Sequence, residues 1–418
     1  MREAKVESER SSVSVAEARE LILSAVPALG RETIGLEGAT GRVLAEEIRA
    51  GVSIPPEDNS AMDGYAVRAA DLATPPALLR VVDDLPAGKR SARALGPGEA
   101  ARIMTGAAIP AGADAVVMVE DTSVEGEQVR VRSAPAPGQH IRRAGSDVRP
   151  GVLVAGAGDI LRAPLVGMLA ALGRTQVAVR ARPRVAVLAT GDELVEPDRL
   201  RADGRIASSN SYALVAGLRE IGAEPVYLGI APDEPDEIAE RFRVALRCDA
   251  VISTGGVSVG DRDWIKQVLA SLGGQMRLWR IRMKPGAPLA FVTVGERPVF
   301  GLPGNPVSTL VTYEQFVRPF LLRMMGHTRV YRPVEQAILD ESYEKSAGRA
   351  HFVRVTLERR AGALHARPTG EQSSNILLSM VRADGLAFVA EGATRVAAGE
   401  RVPVQRLHSD DLSAEPGI

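Results

Sequence analysis

The chain has 418 residues, with 51 basic against 52 acidic side chains and an apolar fraction of 45%. That length exceeds one ordinary core and predicts roughly two to four domains, while the charge balance removes any general pull toward nucleic acid or an anionic membrane. One cysteine, Cys248, excludes an intramolecular disulfide and a thiolate-built zinc site.

The N-terminal MREAKVESERSSVS lacks the apolar segment of a secretory leader, and no uncharged apolar run reaches the length of a membrane span. A cytoplasmic location is expected, with no membrane or nucleic-acid partner. Ser14 with Glu17 reads as a capping box, which predicts a helix over 14–26. The stretch ETIGLEGATGRVLAEEIRA predicts a short strand and a helical turn. From Val52 to Gln139, short β-like runs (LLRVVDDL, ARIMTG, AVVMVEDTSV, QVRVRSA) alternate with Gly/Pro turns, the pattern of an inserted β domain. The flanks, 1–51 and 140–182, contain the helix RAPLVGMLAALG and are read as one discontinuous elongated linker domain.

Over 183–326 the texture is α/β. RVAVLATG, PVYLGI, DAVISTGG, PLAFVTV and RPVFGLPG read as strands, near-continuously apolar. Helices are expected from Asn210, over 234–246 and 261–272, and from Asn305 onward. This predicts a three-layer α/β domain with a mostly parallel sheet. Residues 327–410 show period two with no helix, a C-terminal β domain, and 411–418 form a tail.

In such sheets ligands bind beyond the C-terminal strand ends, and four loops qualify. Thr190-Gly191-Asp192-Glu193 offers a tight turn with carboxylates for a cation or ligand donors; alternatively, the acids are solvated caps. Ser253-Thr254-Gly255-Gly256-Val257-Ser258-Val259-Gly260-Asp261-Arg262-Asp263 is the strongest signal, with glycines and hydroxyls suited to cradling a phosphate. Asp263 would stabilise the helix dipole, and an acid beside a phosphate points to a bridging Mg²⁺. The bland reading is a tight turn with a capping aspartate. Lys284, in the turn Met283-Lys284-Pro285-Gly286-Ala287-Pro288, suits a phosphate or oxyanion, or is a surface lysine. Leu302-Pro303-Gly304-Asn305-Pro306 forms a second anion seat or a proline-stiffened helix start. Outside this domain, the segment from Pro55 to Ala66 with Asp63, the pair Thr105-Gly106, and the run Arg142 to Asp147 read as surfaces contributed by another domain or subunit. No histidine, cysteine or serine arrangement supports metal ligation by His or triad chemistry. Together these loops point to metal-assisted chemistry at a phosphoryl group.

The segments PPEDNSAMDGYAVR, RIMTGAAIPAGADAVV, RRAGSDV, VLATGDEL, VISTGGVSVGDRD, MKPGAP and GLPGNPVS, in this order, resemble the molybdopterin molybdenumtransferase family (bacterial MoeA), also similar to the gephyrin E domain. The resemblance runs from about Ser14 to Leu407. It implies a four-domain elongated subunit, α/β plus β, whose α/β domain binds molybdopterin. It implies insertion of molybdate into adenylylated molybdopterin, Mg²⁺-dependent cleavage of the adenylyl pyrophosphate bond, and release of AMP and molybdenum cofactor. It also implies a homodimer with its site between subunits, and a separate adenylyltransferase supplying the substrate, since no such domain is fused here.

Carried onto this chain, the resemblance gives catalytic roles to Asp63, Glu193, Asp233, Asp263 and Lys284, with Asp263 and Glu193 toward the metal. Thr105 and Asp147 join from the second domain, and Ser374 of GEQSSN from the C-terminal domain. The backbone of Gly191, Gly255, Gly256, Gly260 and Gly304, with Thr190, Ser253, Ser258, Asn305, Pro303 and Pro306, shapes the substrate seat. Molybdate, an oxyanion, would meet Lys284 and Arg142; some members have a second lysine where this chain has Ala287, so the contact here is expected to be thinner or supplied by an arginine such as Arg282. Tungstate as substrate, or a non-catalytic scaffold that holds the pterin, are the competing readings.

Overall fold

The computed structural model describes residues 12–201, 204–256 and 264–408. The chain divides into two compact units, Met1–Glu32 with Arg180–Ile418, and Thr33–Val179.

The first unit is built on a six-stranded sheet in the order Glu224–Ala231, Arg184–Thr190, Ala250–Thr254, Arg297–Leu302, Pro288–Val294, Gly274–Arg280. The first four strands are mutually parallel; Pro288–Val294 runs antiparallel to both of its neighbours, Arg297–Leu302 and Gly274–Arg280. In Arg184–Thr190 every residue after Arg184 is buried. Val185 and Val187 enter one core, Ala186 and Leu188 the other. Side chains alternate across a strand, so a strand covered on both faces must be apolar throughout.

One face carries the helix Ser209–Glu220 through Leu214 and Leu218, and the helical stretch Pro306–Met324 through Val311, Phe316 and Phe320. The latter is helical as expected, but Tyr313–Val317 is a π-turn inside it. The opposite face carries Pro235–Ala245 and Trp264–Ser271, through Phe242, Ile265 and Leu269. The edge strand Gly274–Arg280 escapes sequence reading because Gln275, Arg277 and Arg280 interrupt it. It pairs only on one side, which tolerates polar residues.

The helix Val15–Ser24 has its capping box, with Ser14 and Glu17 bonding reciprocally. Its sequence position groups it with the linker segment 33–51. Its buried Val15, Ala18 and Ile22 instead join the α/β core.

In the C-terminal part, Ala350–Arg360, Ala363–Pro368, Val334–Leu339, Arg401–Arg406 and Gly385–Val389 pair in that order. Gly385–Val389 pairs back onto Ala350–Arg360, closing a ring around Val353, Val355, Ala387 and Val404. Closure removes free sheet edges. The expectation of no helix here is corrected by Leu377–Val381, one short helix whose only buried residue is Ser379. Five residues with a single buried contact are too short to show a helical period.

The second unit holds another six-stranded sheet, ordered Ala115–Met118, Gly64–Val67, Glu99–Ile103, Ala77–Leu85, Gln128–Val131, Thr122–Glu125. Its faces bury Tyr65, Leu79 and Val117 on one side and Ala66, Leu85 and Ile103 on the other. Beside it, the helix Ala163–Ala171 packs Leu169 with Leu44, Ile48 and Val177. The helical turn expected before residue 51 is the 3₁₀ turn Leu36–Gly38. No helix among the described residues is long and apolar enough to cross a membrane.

Candidate functional site

The strand Arg184–Thr190 has the sheet's next strand in sequence, Glu224–Ala231, on one side and the following one, Ala250–Thr254, on the other, so the order in which strands are added to the sheet reverses at the pair Arg184–Thr190 and Ala250–Thr254. Beyond the C-terminal ends of such a pair the following loops part and leave a crevice. A cavity of about 740 Å³ lies there. It gathers Thr190, Glu193, Gly255, Lys284, Pro303, Gly304, Asn305, Pro306 and Ser374, nine of the residues expected from sequence.

Close backbone approach explains the glycines. Gly255 has φ +89°, and a Cβ there would sit 2.3 Å from the Thr190 carbonyl oxygen. At Gly256, φ +64°, a Cβ would lie 2.8 Å from Thr190 Oγ1. Only glycine permits both the left-handed backbone and the approach. Gly191, φ +145°, leaves room for the Glu193 carboxylate to fold back over it, with Oε2 2.6 Å from where a Cβ would stand. Thr190 Oγ1 and Ser253 Oγ are buried without a hydrogen-bond partner among the described residues.

Asn210, at the start of its helix, ties the loops together. Its Nδ2 donates to Thr254 Oγ1 at 2.9 Å and to the Gly304 carbonyl at 2.7 Å. Thr254 Oγ1 in turn donates to the Pro303 carbonyl at 3.1 Å. Asn305 Nδ2 donates to Ser374 Oγ at 2.9 Å, and the Val307 N–H to the Ser374 carbonyl at 3.1 Å. Ser374 therefore joins the site from a distant stretch of chain.

Lys284 is set by pairing of Met283–Lys284 with Ala350 and His351 in the C-terminal sheet. Gly286 completes the turn at φ +94°, where a Cβ would meet Thr312 Cγ2 at 2.6 Å. Arg349, next to that pairing, also lines the cavity. Neither cation is in a salt bridge among the described residues, so both can attract an anion. His351 is neutral at physiological pH: burial, helped by Lys345, Lys284 and Arg349, pushes it down to about 4.

Sequence reasoning missed Arg349, Asn210 and Asn375. Arg349 lies in a turn of an arginine-rich chain with no local motif, and only the closed sheet brings it here. The expectation that Arg282 could stand in for a second lysine is corrected. Arg282 is not a cavity residue; its Nε donates to Glu391 at 2.9 Å and its Nη1 to the Ser12 carbonyl. Asp233 lies one strand away and outside the cavity, with its N–H donating to Asp192 at 3.1 Å. Gly191, Ser253 and Gly256 do not line the cavity. Ser258, Gly260 and Asp263 lie outside the described residues.

In the second unit the three expected segments converge. Asp63 Oδ1 accepts from the Thr105 N–H and hydroxyl, both at 2.7 Å, which holds its carboxyl below the usual aspartate range. Asp58 accepts from Arg143 at 2.7 Å and from the Ala144 N–H at 2.8 Å. Ile141 and Arg142 pair with Ser60 and Asn59. Asp147 is exposed, with its N–H on the Ile54 carbonyl.

No group of three or more His, Cys, Asp or Glu able to hold a metal is present among the described residues. One carboxylate, Glu193, lines the cavity. That donor set fits Mg²⁺, which is usually held by one or two carboxylates plus substrate phosphates, and not a metal needing a protein cage.

Three family models match the chain: the MoeA N-terminal region (domain I and II) over residues 13–173, the "Probable molybdopterin binding domain" over 186–323, and the MoeA C-terminal region (domain IV) over 336–407. A molybdopterin molybdenumtransferase of Nostoc sp. is 38% identical over 408 residues, covering 94% of each chain. Molybdopterin molybdenumtransferase 2 of Mycobacterium tuberculosis is 39% identical over 404 residues, covering 94% of this chain and 99% of its own. A crystal structure of the molybdopterin biosynthesis MoeA protein from Pyrococcus horikosii superimposes with a TM-score of 0.84 at 32% identity, over 96% of this chain and 100% of that one.

Proposed function

The chain belongs to the MoeA family of molybdopterin molybdenumtransferases, and on that premise we propose that it inserts molybdate into adenylylated molybdopterin, with Mg²⁺-dependent cleavage of the adenylyl pyrophosphate bond and release of AMP and molybdenum cofactor. The observation that carries this reading is the switch-point cavity with Lys284 and Arg349 as cations, Glu193 as acid and glycine-built strand ends between them.

Both substrates are anions. Lys284 and Arg349 attract them and, with no competing salt bridge among the described residues, need not surrender a partner first. Ser374, Ser308 and Asn305 add donors on the same cavity lining. When the link between the two phosphates breaks, negative charge grows on the departing phosphate oxygen, and fixed donors and cations there lower the barrier. Glu193, with Asp263, would hold Mg²⁺, which supplies further charge neutralisation at the phosphates.

The surface around Asp63, Thr105 and Asp147 is assigned to the site of a second copy, so the working enzyme is a homodimer. A separate molybdopterin adenylyltransferase supplies the substrate, and the reaction takes place in the cytoplasm. Glu193→Gln and Asp263→Asn are each expected to slow AMP release at saturating substrate by about 100-fold, with substrate binding retained. An Asp263→Asn variant with unchanged turnover would overturn its metal role. A wild-type protein that binds substrate tightly and never turns it over with molybdate or tungstate would favour a pterin-holding scaffold.

A further inference from the structure

Part of the cavity wall is a short arm of chain that leaves the α/β sheet. Leu194–Val195 and Ile206–Ala207 form its base, paired in parallel. Glu193, Leu194, Ile206, Ala207 and Ser208 carry this arm into the cavity lining. The arm has little core of its own. Val195 is buried, but Ile206 is 55% exposed and Leu200 47%. A segment with so few buried apolar contacts opens easily unless polar bonds tie it to the body.

Glu196 supplies that tie. Its Oε1 accepts from the Tyr227 hydroxyl at 2.7 Å and its Oε2 from the Tyr212 hydroxyl at 3.0 Å. Tyr227 stands in the strand Glu224–Ala231 and packs against the α/β core, and Tyr212 stands in the first turn of the helix Ser209–Glu220. The two rings lie 5.8 Å apart, tilted by 56°. Both donors thus come from elements fixed by the sheet, and the acceptor comes from the arm. Burial first, and then the bond to Glu196, pushes the Tyr227 hydroxyl up to about 12, so it remains a donor at neutral pH. Ser208 and Ser211, with hydroxyls 2.8 Å apart, stand against the same Tyr227 oxygen. Glu196 itself does not line the cavity.

The tie lies three residues beyond Glu193, the acid assigned above to Mg²⁺. The Ile206 N–H donates to the Glu193 carbonyl at 2.9 Å and the Ser208 N–H to the Val195 carbonyl at 3.0 Å. A shift at Glu196 therefore reaches Glu193 and Ser208 together. We propose that Glu196 is a positioning residue for the transferase reaction: clasped by Tyr212 and Tyr227, it fixes the arm and with it the place of the Glu193 carboxylate in the cavity. It touches no substrate and acts through the main chain of 193–196. The inference rests on the function proposed above.

The test uses the full chain as wild type, Glu196→Ala, Glu196→Gln and the double variant Tyr212→Phe with Tyr227→Phe. AMP release is measured with Mg²⁺ varied at saturating substrate and molybdate. Amide exchange of residues 193–196 and 206–208 is followed without Mg²⁺, beside thermal unfolding. Glu196→Ala is expected to raise the Mg²⁺ concentration for half-maximal activity about tenfold, with kcat at saturating Mg²⁺ within about twofold, and to speed exchange in both segments. The tyrosine double variant should do the same, and adding Glu196→Ala to it should change little, because the shared interaction is already gone. Glu196→Gln can still accept from one hydroxyl and donate to the other, so its Mg²⁺ requirement falls between the two. An unchanged Mg²⁺ requirement in Glu196→Ala would overturn the proposal, whether or not exchange is faster. So would an equal loss of kcat and thermal stability at every Mg²⁺ concentration with no partial recovery in Glu196→Gln, which marks a purely structural residue. A wild-type protein without molybdate-dependent AMP release sinks the functional reading instead, while the exchange data still report whether Glu196 holds the arm.

Discussion

Gly255 shows how one missing side chain shapes the cavity. An added methyl would meet the Thr190 main chain at 2.3 Å, and backbone atoms cannot swing aside as a flexible side chain can. The left-handed backbone at φ +89° alone costs an L-residue about 1–2 kcal/mol. Gly255→Ala is therefore expected to destabilise the α/β unit by at least about 2 kcal/mol, read as a lower unfolding midpoint, and to weaken substrate binding. A variant with wild-type stability and affinity would show that the strand ends do not need to be this close. This residue was legible in the sequence because glycine itself is the signal. Lys284 was legible because lysine is scarce in the chain and stood in a rigid turn. Arg349 was not, because its role comes from the sheet pairing that places Ala350 and His351 beside Met283 and Lys284.

The inner strands of the α/β sheet were readable for one physical reason: they are covered on both faces and hence buried at nearly every step. The same rule failed at Gly274–Arg280, a one-sided edge, and at Leu377–Val381, too short to show a period. In the second unit, the start of the strand Glu99–Ile103 carries a testable charge cluster. Glu99 accepts from the Gly96 N–H at 2.9 Å, from Arg93, and from Arg80 at 2.6 Å. These bonds hold its carboxyl down at about 2. A depressed carboxyl stabilises the fold fully above the ordinary glutamate range, and that contribution fades as pH falls toward 2. Glu99→Gln should thus lower the unfolding temperature of this unit at pH 7. The difference from wild type should shrink steadily below about pH 4.5. A difference independent of pH would mean that packing, not charge, is what Glu99 supplies.

For the whole molecule, the sequence delivered the order of segments but not their assembly. The Asp63 surface lies in one compact unit and the Lys284 cavity in the other. If two copies build each site, an Asp63→Asn subunit and a Lys284→Gln subunit fail separately and complement when mixed. At equal amounts half the dimers are mixed, each with one intact site, so about a quarter of wild-type activity should return. Activity no greater than the sum of the separate variants would place both residues in the same subunit's site. The central claim, that oxyanion insertion and phosphate cleavage are one coupled event, is tested most directly by counting molybdenum incorporated against AMP released by the wild-type protein with Mg²⁺. The account predicts equal amounts, with no AMP released when molybdate is withheld. AMP release that proceeds at the same rate without molybdate would contradict it.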